Sequence, residues 1–359
     1  MFISLEIENF RCFRRLSLKN LKRINLFAGM NNVGKTALLE AIFLHIGPNN
    51  PELTLRVNAF RGIEHIGLDA EQAWGWLFYG KDLSAPIKLA SIDADGIERR
   101  LQIAVHQEPN VSLTSTKESN KEEGIIKASL PVSTRLGYVS LILDYSDSMG
   151  RREISKGLLI PNGLRFERSE LNIPLIPGIF LSTRFWTARE DAERFSRLTE
   201  LGLEAQILPT LRLLEPRLRH LALLFTGGMP IIHGDIGMSR LVPINMMGEG
   251  VTRLLSLLLT VFTTEGGCVL VDEIENGLHY SVMQAVWKAL MDAARRTNIQ
   301  IFATTHSREC ILAAHAGFTE SGDNDFTLQR LERLNEDIVA TGYDQEMLAT
   351  ANEFALEVR

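Results

Sequence analysis

The stretch Gly29-Met30-Asn31-Asn32-Val33-Gly34-Lys35-Thr36 decides the fold. A glycine, four free positions and then Gly-Lys-Thr make the full phosphate-loop pattern. Ile24-Asn-Leu-Phe-Ala before it reads as a short strand, and the run from Gly34 to Leu44 after it is made of helix formers stopped by Gly47-Pro48. Glycine at 29 and 34 lets the backbone curl, so that the N–H groups of Asn31, Asn32, Val33 and Gly34 turn inward towards phosphate oxygens. Lys35 can reach the β- and γ-phosphates, and the Thr36 hydroxyl suits Mg²⁺. A coincidental glycine-rich turn has no reason to stand between a strand and a helix.

Two distant segments complete the pattern. Val269-Leu-Val-Asp-Glu lifts Asp272 to the carboxyl end of an apolar strand, where open α/β sheets keep their ligands. Asp272 is then placed to hold Mg²⁺, and Glu273 to polarise an attacking water. An Asp-Glu pair after a strand is also a common helix start; the phosphate loop is what gives it meaning. His306, in Phe302-Ala-Thr-Thr-His-Ser, follows a third apolar strand expected to end beside Asp272. A histidine there is either structural or aimed at the γ-phosphate.

Between these segments the period changes. Ile3–Phe10 alternates apolar and polar residues as a half-exposed strand does. Lys88–Ile92 and Glu98–Val105 flank a hairpin turn, and Tyr138–Asp144 and Gly163–Glu167 are further strand candidates. Val111–Ser129, rich in Ser, Thr, Lys and Glu, reads as a mobile loop or a weak strand pair. From Ala188 to Leu224 leucines fall at helical spacing, divided by Pro209 and Pro216. Helices follow over Glu249–Phe262, His279–Arg296 and Arg308–Ala314, then strands over Phe326–Leu331 and Asp337–Thr341 and a last short helix. The sum is an α/β P-loop fold: a parallel-sheet core interrupted by an antiparallel β lobe and a helical insertion. Four parts are expected within one domain: 1–105, a variable β insertion at 106–180, a helical subdomain at 181–225, and 226–359.

The 359 residues are 45% apolar and 23% charged, which excludes a disordered or fibrous chain. Cys12, Cys268 and Cys310 stand in no paired spacing, so neither a disulfide framework nor a zinc cluster is expected. No apolar run approaches the length of a membrane span, and the first residues lack a signal-peptide pattern; a cytoplasmic location is expected. The net charge of −6 lends no support to a protein that coats duplex DNA. Two basic clusters, Arg11 to Arg23 and Arg212 to Arg219, read as solvated faces.

Taken together, Ile7-Glu-Asn-Phe-Arg-Cys-Phe13, the phosphate loop, Asp272-Glu-Ile-Glu-Asn-Gly-Leu-His279 and Ala303-Thr-Thr-His-Ser307 resemble ATP-binding-cassette ATPases of the SMC, RecF and OLD group. The resemblance covers roughly residues 1–50 and 240–340. It implies ATP and Mg²⁺ as ligands, catalytic roles for Glu273 and His306, metal contacts from Thr36 and Asp272, and an ATP-dependent homodimer or higher oligomer. It also implies a signature loop that caps the partner subunit's γ-phosphate. Met247-Gly-Glu-Gly-Val251 matches its place, with Gly248 and Gly250 as contacts, although Gly248 stands where the family has serine.

Other departures are His279 at the end of the dimer-contact loop and the absence of the family's lid glutamine, for which Ser182 or Thr183 would substitute. Phe10, Arg11 and Phe13 lie where the family contacts adenine, or else form core. No heptads provide a coiled-coil arm, and Asp323-Asn-Asp325 reads as a turn rather than as the metal site of a TOPRIM nuclease. The resemblance therefore implies an ATP-driven switch in prokaryotic defence or DNA processing. Its effector would be a separate partner, such as a TOPRIM-type nuclease, and DNA is left open as a partner. The rivals are an ATP-gated scaffold with little turnover and a repair-type ATPase acting on DNA ends.

Overall fold

The computed structural model describes residues 1–63, 69–108, 138–160, 163–168, 175–182, 188–320 and 324–353. Alternation in Phe2–Phe10 builds strand β1, with Phe2, Leu5, Ile7 and Phe10 inside and Ile3 and Glu6 outside. Next come β2 (Phe13–Leu18), β3 (Ile24–Ala28), α1 (Lys35–Ile46), α2 (Leu53–Ala59) and α3 (Ala70–Trp74). An antiparallel run follows: β4 (Ile87–Asp93), β5 (Glu98–Glu108), β6 (Tyr138–Asp147), β7 (Arg152–Ile160) and β8 (Gly163–Glu167). After β9 (Gly178–Leu181) stand α4 (Ala188–Glu200), α5 (Glu204–Leu211), β10 (Leu221–Thr226), β11 (Met229–Gly234) and β12 (Val242–Pro243). The remainder is α6 (Glu249–Thr263), β13 (Cys268–Val271), α7 (Tyr280–Arg296), β14 (Gln300–Thr304), α8 (Arg308–Glu320), β15 (Phe326–Leu334), β16 (Asp337–Tyr343) and α9 (Gln345–Glu353).

One sheet of six strands runs β16-β15-β3-β14-β13-β9. All its pairings are parallel except that of β15 with β16. Every residue of β3, β13 and β14 is buried, as expected of parallel strands covered on both faces. Period-2 geometry sends Leu26, Val269 and Ile301 to the face packed by α6, α7 and α8, and Phe27, Leu270 and Phe302 to the face packed by α1. Beyond α1 lies the seven-stranded antiparallel sheet, β2-β1-β4-β5-β6-β7-β8. Its inward residues Ile87, Leu101 and Leu141 close the same core. Each such side chain contributes about 1.5–3 kcal/mol by leaving water, so α1 is held firmly between two sheets. The loop at its amino end is carried by that rigid element.

The fold class agrees with the sequence reading, and five local expectations need correction. Strands β2, β7, β11 and β12 were not foreseen. The helical reading through Leu224 fails at β10, which pairs with β11 across Gly227-Gly228. Consecutive apolar residues from Leu221 to Phe225 fit either period, and the Gly-Gly turn is what selects the hairpin. Pro209 lies inside α5 rather than between helices, where its missing N–H leaves the Ala205 carbonyl without the intrahelical partner it would otherwise have. Helix α8 continues past Ala314 to Glu320, burying Gly317 and Phe318. His279 caps α7 instead of belonging to it: its ring nitrogen accepts from the Ser281 amide. The loop expected at 111–129, Thr183 and Asp323 lie outside the described residues.

Candidate functional site

The site is built at the carboxyl ends of β3, β13 and β14, which are neighbours in the sheet although β3 and β14 are far apart in sequence. The phosphate loop leaves β3 and enters α1 at Lys35. Gly34 adopts φ 88°, and a Cβ there would lie 2.6 Å from Cys12 Sγ and 2.8 Å from the Phe13 ring. Only glycine satisfies both the conformation and the space. A Cβ on Gly29 would collide with the Leu331 carbonyl of β15. Asn31 and Asn32 are exposed at the loop's tip and Val33 is buried beneath it.

Lys35 is buried, and its ammonium donates to the carbonyls of Gly29 (2.7 Å) and Met30 (2.9 Å). Burial pushes its pKa below the ordinary lysine value, opposed by the carboxylates of Asp272, Glu273 and Glu275. The Thr36 hydroxyl donates to Asp272 Oδ2 at 3.0 Å, and Thr304 Oγ1 donates to Asp272 Oδ1 at 2.7 Å. Burial raises the Asp272 carboxyl pKa, with those two hydroxyls pulling it back. Two hard oxygen donors side by side, Thr36 and Asp272, have the chemistry Mg²⁺ takes. Among the described residues no cluster of three or more His, Cys, Asp or Glu could hold a metal by itself.

Glu273 turns away from the strand at φ 49°, and its amide donates to Thr304 Oγ1 at 2.8 Å. The carboxylate meets His306 Nε2 at 2.9 Å through Oε1 and accepts from Asn276 Nδ2 at 2.7 Å through Oε2. Partial burial pushes this carboxyl up, but the hydrogen bonds from His306 and Asn276 and the charge of Lys35 outweigh it, leaving the pKa below the usual range. His306 is itself fixed by its amide, which donates to Glu275 Oε1 at 2.7 Å. Arg253 of α6 donates to the Asp272 carbonyl at 2.7 Å and to the Ser182 carbonyl at 3.3 Å, tying three elements together under the site.

The structure therefore brings Lys35, Thr36, Asp272, Glu273 and His306 into one cluster. Gly248 and Gly250 lie elsewhere, at the start of α6. Gly248 caps that helix at φ 115° with open space where a Cβ would stand. Gly250 is different: a Cβ there would collide with the Gly277 carbonyl of the same chain. Bulk at Gly250 would therefore disturb packing within this chain. Of the residues in the adenine-contact segment, Phe10 and Phe13 are wholly buried. Arg11 is no solvated charge either, since its Nε pairs with the buried Glu40 of α1 at 2.5 Å. Arg61 holds the same carboxylate at 2.7 Å. Sequence reading missed Thr304, Glu275, Asn276, Arg253 and Glu40.

Comparison with known proteins agrees with this architecture. The family described as "AAA domain, putative AbiEii toxin, Type IV TA system" matches residues 86–311, and one described as "AAA ATPase domain" matches residues 1–122. An "ATP/GTP phosphatase" of Helicobacter pylori is 22% identical over 326 residues, covering 87% of this chain and 86% of that one. An uncharacterized protein of Methanocaldococcus jannaschii is 27% identical over 151 residues, covering 41% of this chain and 67% of its own. Among solved structures, an SMC head bound to the C-winged-helix domain of ScpA superposes with a TM-score of 0.50 at 11% identity, covering 97% of this chain and 99% of that one. At that identity the likeness speaks for the fold. No helix among the described residues is long and apolar enough to cross a membrane.

Proposed function

The chain belongs to the AAA-domain family whose profile matches residues 86–311, and from that premise we propose an ATP-hydrolysing switch that dimerises around ATP and Mg²⁺ and controls a separate effector. The observation that carries the reading is the convergence of Thr36, Thr304 and Asp272 beside the Glu273–His306 pair, at the carboxyl edge of the sheet. Thr36 and Asp272 would hold Mg²⁺, which would supply charge neutralisation on the β- and γ-phosphate oxygens.

The chain's own residues then have separable tasks. Lys35 exchanges its two carbonyl partners for phosphate oxygens, and the loop amides from Gly29 to Gly34 bind the rest of the chain of phosphates. Glu273, held ionised below the ordinary carboxylate range, takes a proton from the attacking water. Asn276 and His306 keep that carboxylate aimed, and His306 faces the γ-phosphate. Water attacks phosphorus, the β–γ bridging bond breaks, and ADP and phosphate leave.

Gly248 and the amino end of α6 would cap the γ-phosphate of a second copy, so that two nucleotides close a head-to-tail dimer. The exposed and unencumbered Gly248 supports this part of the reading. Since Gly248 offers no hydroxyl, capping is weaker than serine would make it, which favours slow turnover and an ATP-gated scaffold as the second reading. A nuclease in prokaryotic defence or DNA processing is the effector proposed.

The test is Mg²⁺-dependent phosphate release by the purified chain, with solution mass measured with and without ATP. Hydrolysis with an ATP-dependent dimer supports the switch. A stable ATP-bound dimer without hydrolysis supports the scaffold. A monomer in every nucleotide state removes both.

A further inference from the structure

The hairpin β10–β11 leaves one edge of β10 open. In its sheet β10 pairs with β11 alone, and Gly227 and Gly228, at φ 59° and 81°, join the two in a two-residue turn. Such a turn is closed by a hydrogen-bonded pair, here Thr226 with Met229. Alternation along the ladder then directs the main-chain groups of Ala222 and Leu224 to β11, and those of Leu221, Leu223 and Phe225 to the free edge. Pro230 stands opposite Phe225, where the ladder asks for no N–H. Among the described residues no hydrogen bond reaches the N–H or C=O groups of Leu221, Leu223 and Phe225.

Exposed edge strands are ordinarily blunted by charges, by proline or by a covering element. Here the blunting charges are missing: no Asp, Glu, Lys or Arg occurs from His220 to Gly234, in a chain of which 23% is charged. Leu221 and Leu223 pack on the core, but Phe225 is 76% exposed, and Leu224 and Met229 are exposed towards the same tip. Charge gathers at the other end of the strand. Arg212 Nη2 donates to the Arg219 carbonyl at 3.0 Å, so two arginines meet at the amino end of β10. The Arg219 side chain is 69% exposed and meets Asp235 at only 4.0 Å.

We propose that β10 accepts a strand from a partner protein, an extended segment apolar at alternate positions and acidic at its carboxyl end. Main-chain bonds to Leu221, Leu223 and Phe225 supply the affinity. Antiparallel addition sets the acidic end beside Arg212 and Arg219. The inference rests on the switch reading for one point, that this partner is the effector. A Cβ on Gly234 would lie 2.7 Å from the Met247 side chain, so β11 packs without slack against the residue before Gly248. Occupation of the edge is thereby felt at the start of α6. A second copy fits less well. Antiparallel pairing of β10 with its own counterpart would set each basic end against an uncharged Gly-Gly tip, leaving both arginine pairs unanswered.

The test needs no nucleotide. A fluorescent peptide of six alternating valines and threonines followed by three aspartates is titrated into the full chain and read by anisotropy. Binding is expected, with hydrogen exchange slowed over residues 221–226. Phe225→Pro removes one edge N–H and no ladder bond, and should weaken the peptide about tenfold. Arg219→Glu should weaken it about threefold and favour instead a peptide ending in three lysines. Both variants should bind ATP as the wild type does, which shows that they fold. Absence of binding, or binding indifferent to Phe225→Pro, overturns the proposal. A nucleotide-free dimer that Phe225→Pro dissociates assigns the edge to a second copy and overturns it too. Peptide binding by a chain that takes up no ATP would leave the edge standing and remove the switch.

Discussion

Glu273→Gln isolates one charge. The amide keeps the volume of the side chain, and it keeps one acceptor and gains a donor where the carboxylate had two acceptors. In the wild type Oε1 meets His306 and Oε2 meets Asn276. The variant can satisfy both if one partner presents an acceptor, which the other tautomer of His306 or a flipped Asn276 amide provides. Its fold should therefore be little changed, the more so because the Glu273 side chain is 34% exposed. What is lost is the base for the attacking water. General-base catalysis contributes about 10²- to 10⁴-fold, so kcat should fall by that factor, equivalent to roughly 2.7–5.4 kcal/mol of barrier. ATP affinity should stay within a few-fold of wild type, because the phosphate contacts come from the loop. Phosphate release under saturating ATP measures the first quantity and titration calorimetry the second. A kcat within threefold of wild type, with ATP binding intact, would refute the role assigned to Glu273.

The other predictions are more compact. Lys35→Ala should weaken ATP about 10- to 100-fold, by removing charge-assisted hydrogen bonds worth roughly 1.5–3 kcal/mol, as read by calorimetry. Glu40→Ala leaves Arg11 and Arg61 without their shared buried partner; it should cost about 3–5 kcal/mol in denaturant melts. Gly248→Asp should bind ATP but not hydrolyse it, and equimolar mixing with Lys35→Ala subunits should restore part of the activity; no recovery in confirmed heterodimers would argue against a shared site. Because the Glu273 carboxyl lies below the ordinary range, its base form persists through neutral pH. Its contribution to rate and to folding stability is present above the unfolded value and is lost only as pH falls through the lowered folded value. A kcat profile with a Glu273-dependent limb near neutral pH, absent from the Gln variant, would contradict this.

Much of the site was legible because its signals are local. The phosphate loop carries its own spacing, and Asp272, Glu273 and His306 each follow a run of apolar residues whose length implies a buried strand. What escaped has no local signature. Thr304 ends β14 and reads as one more β-branched strand residue, yet its hydroxyl donates to Asp272 and accepts from the Glu273 amide. Arg253 stands on an amphipathic helix, where an arginine usually means a wet face; here it is bound to two carbonyls at the strand ends. Arg11 and Glu40 are joined only by the packing of β1 against α1. Hairpin β10–β11 was hidden by a leucine-rich stretch that satisfies two periods at once.

The position of β3 has a consequence for the order in which the protein can be made. Its neighbours β14 and β15 follow it by roughly 270 and 300 residues, which at ribosomal speeds of about 5–20 residues per second means some 15–60 s of synthesis. Until then β3 lacks both neighbours in its sheet, although Phe27 can already pack against α1, and both edges of the strand are open to pairing with other chains. The antiparallel sheet has all its strands by Glu167, so it can form while the nucleotide edge is still incomplete. The nascent chain thus spends the interval between Glu167 and Gln300 with a finished lobe and an unpartnered parallel strand. The topology predicts aggregation on rapid overexpression, and slowing synthesis or lowering temperature should raise the soluble yield.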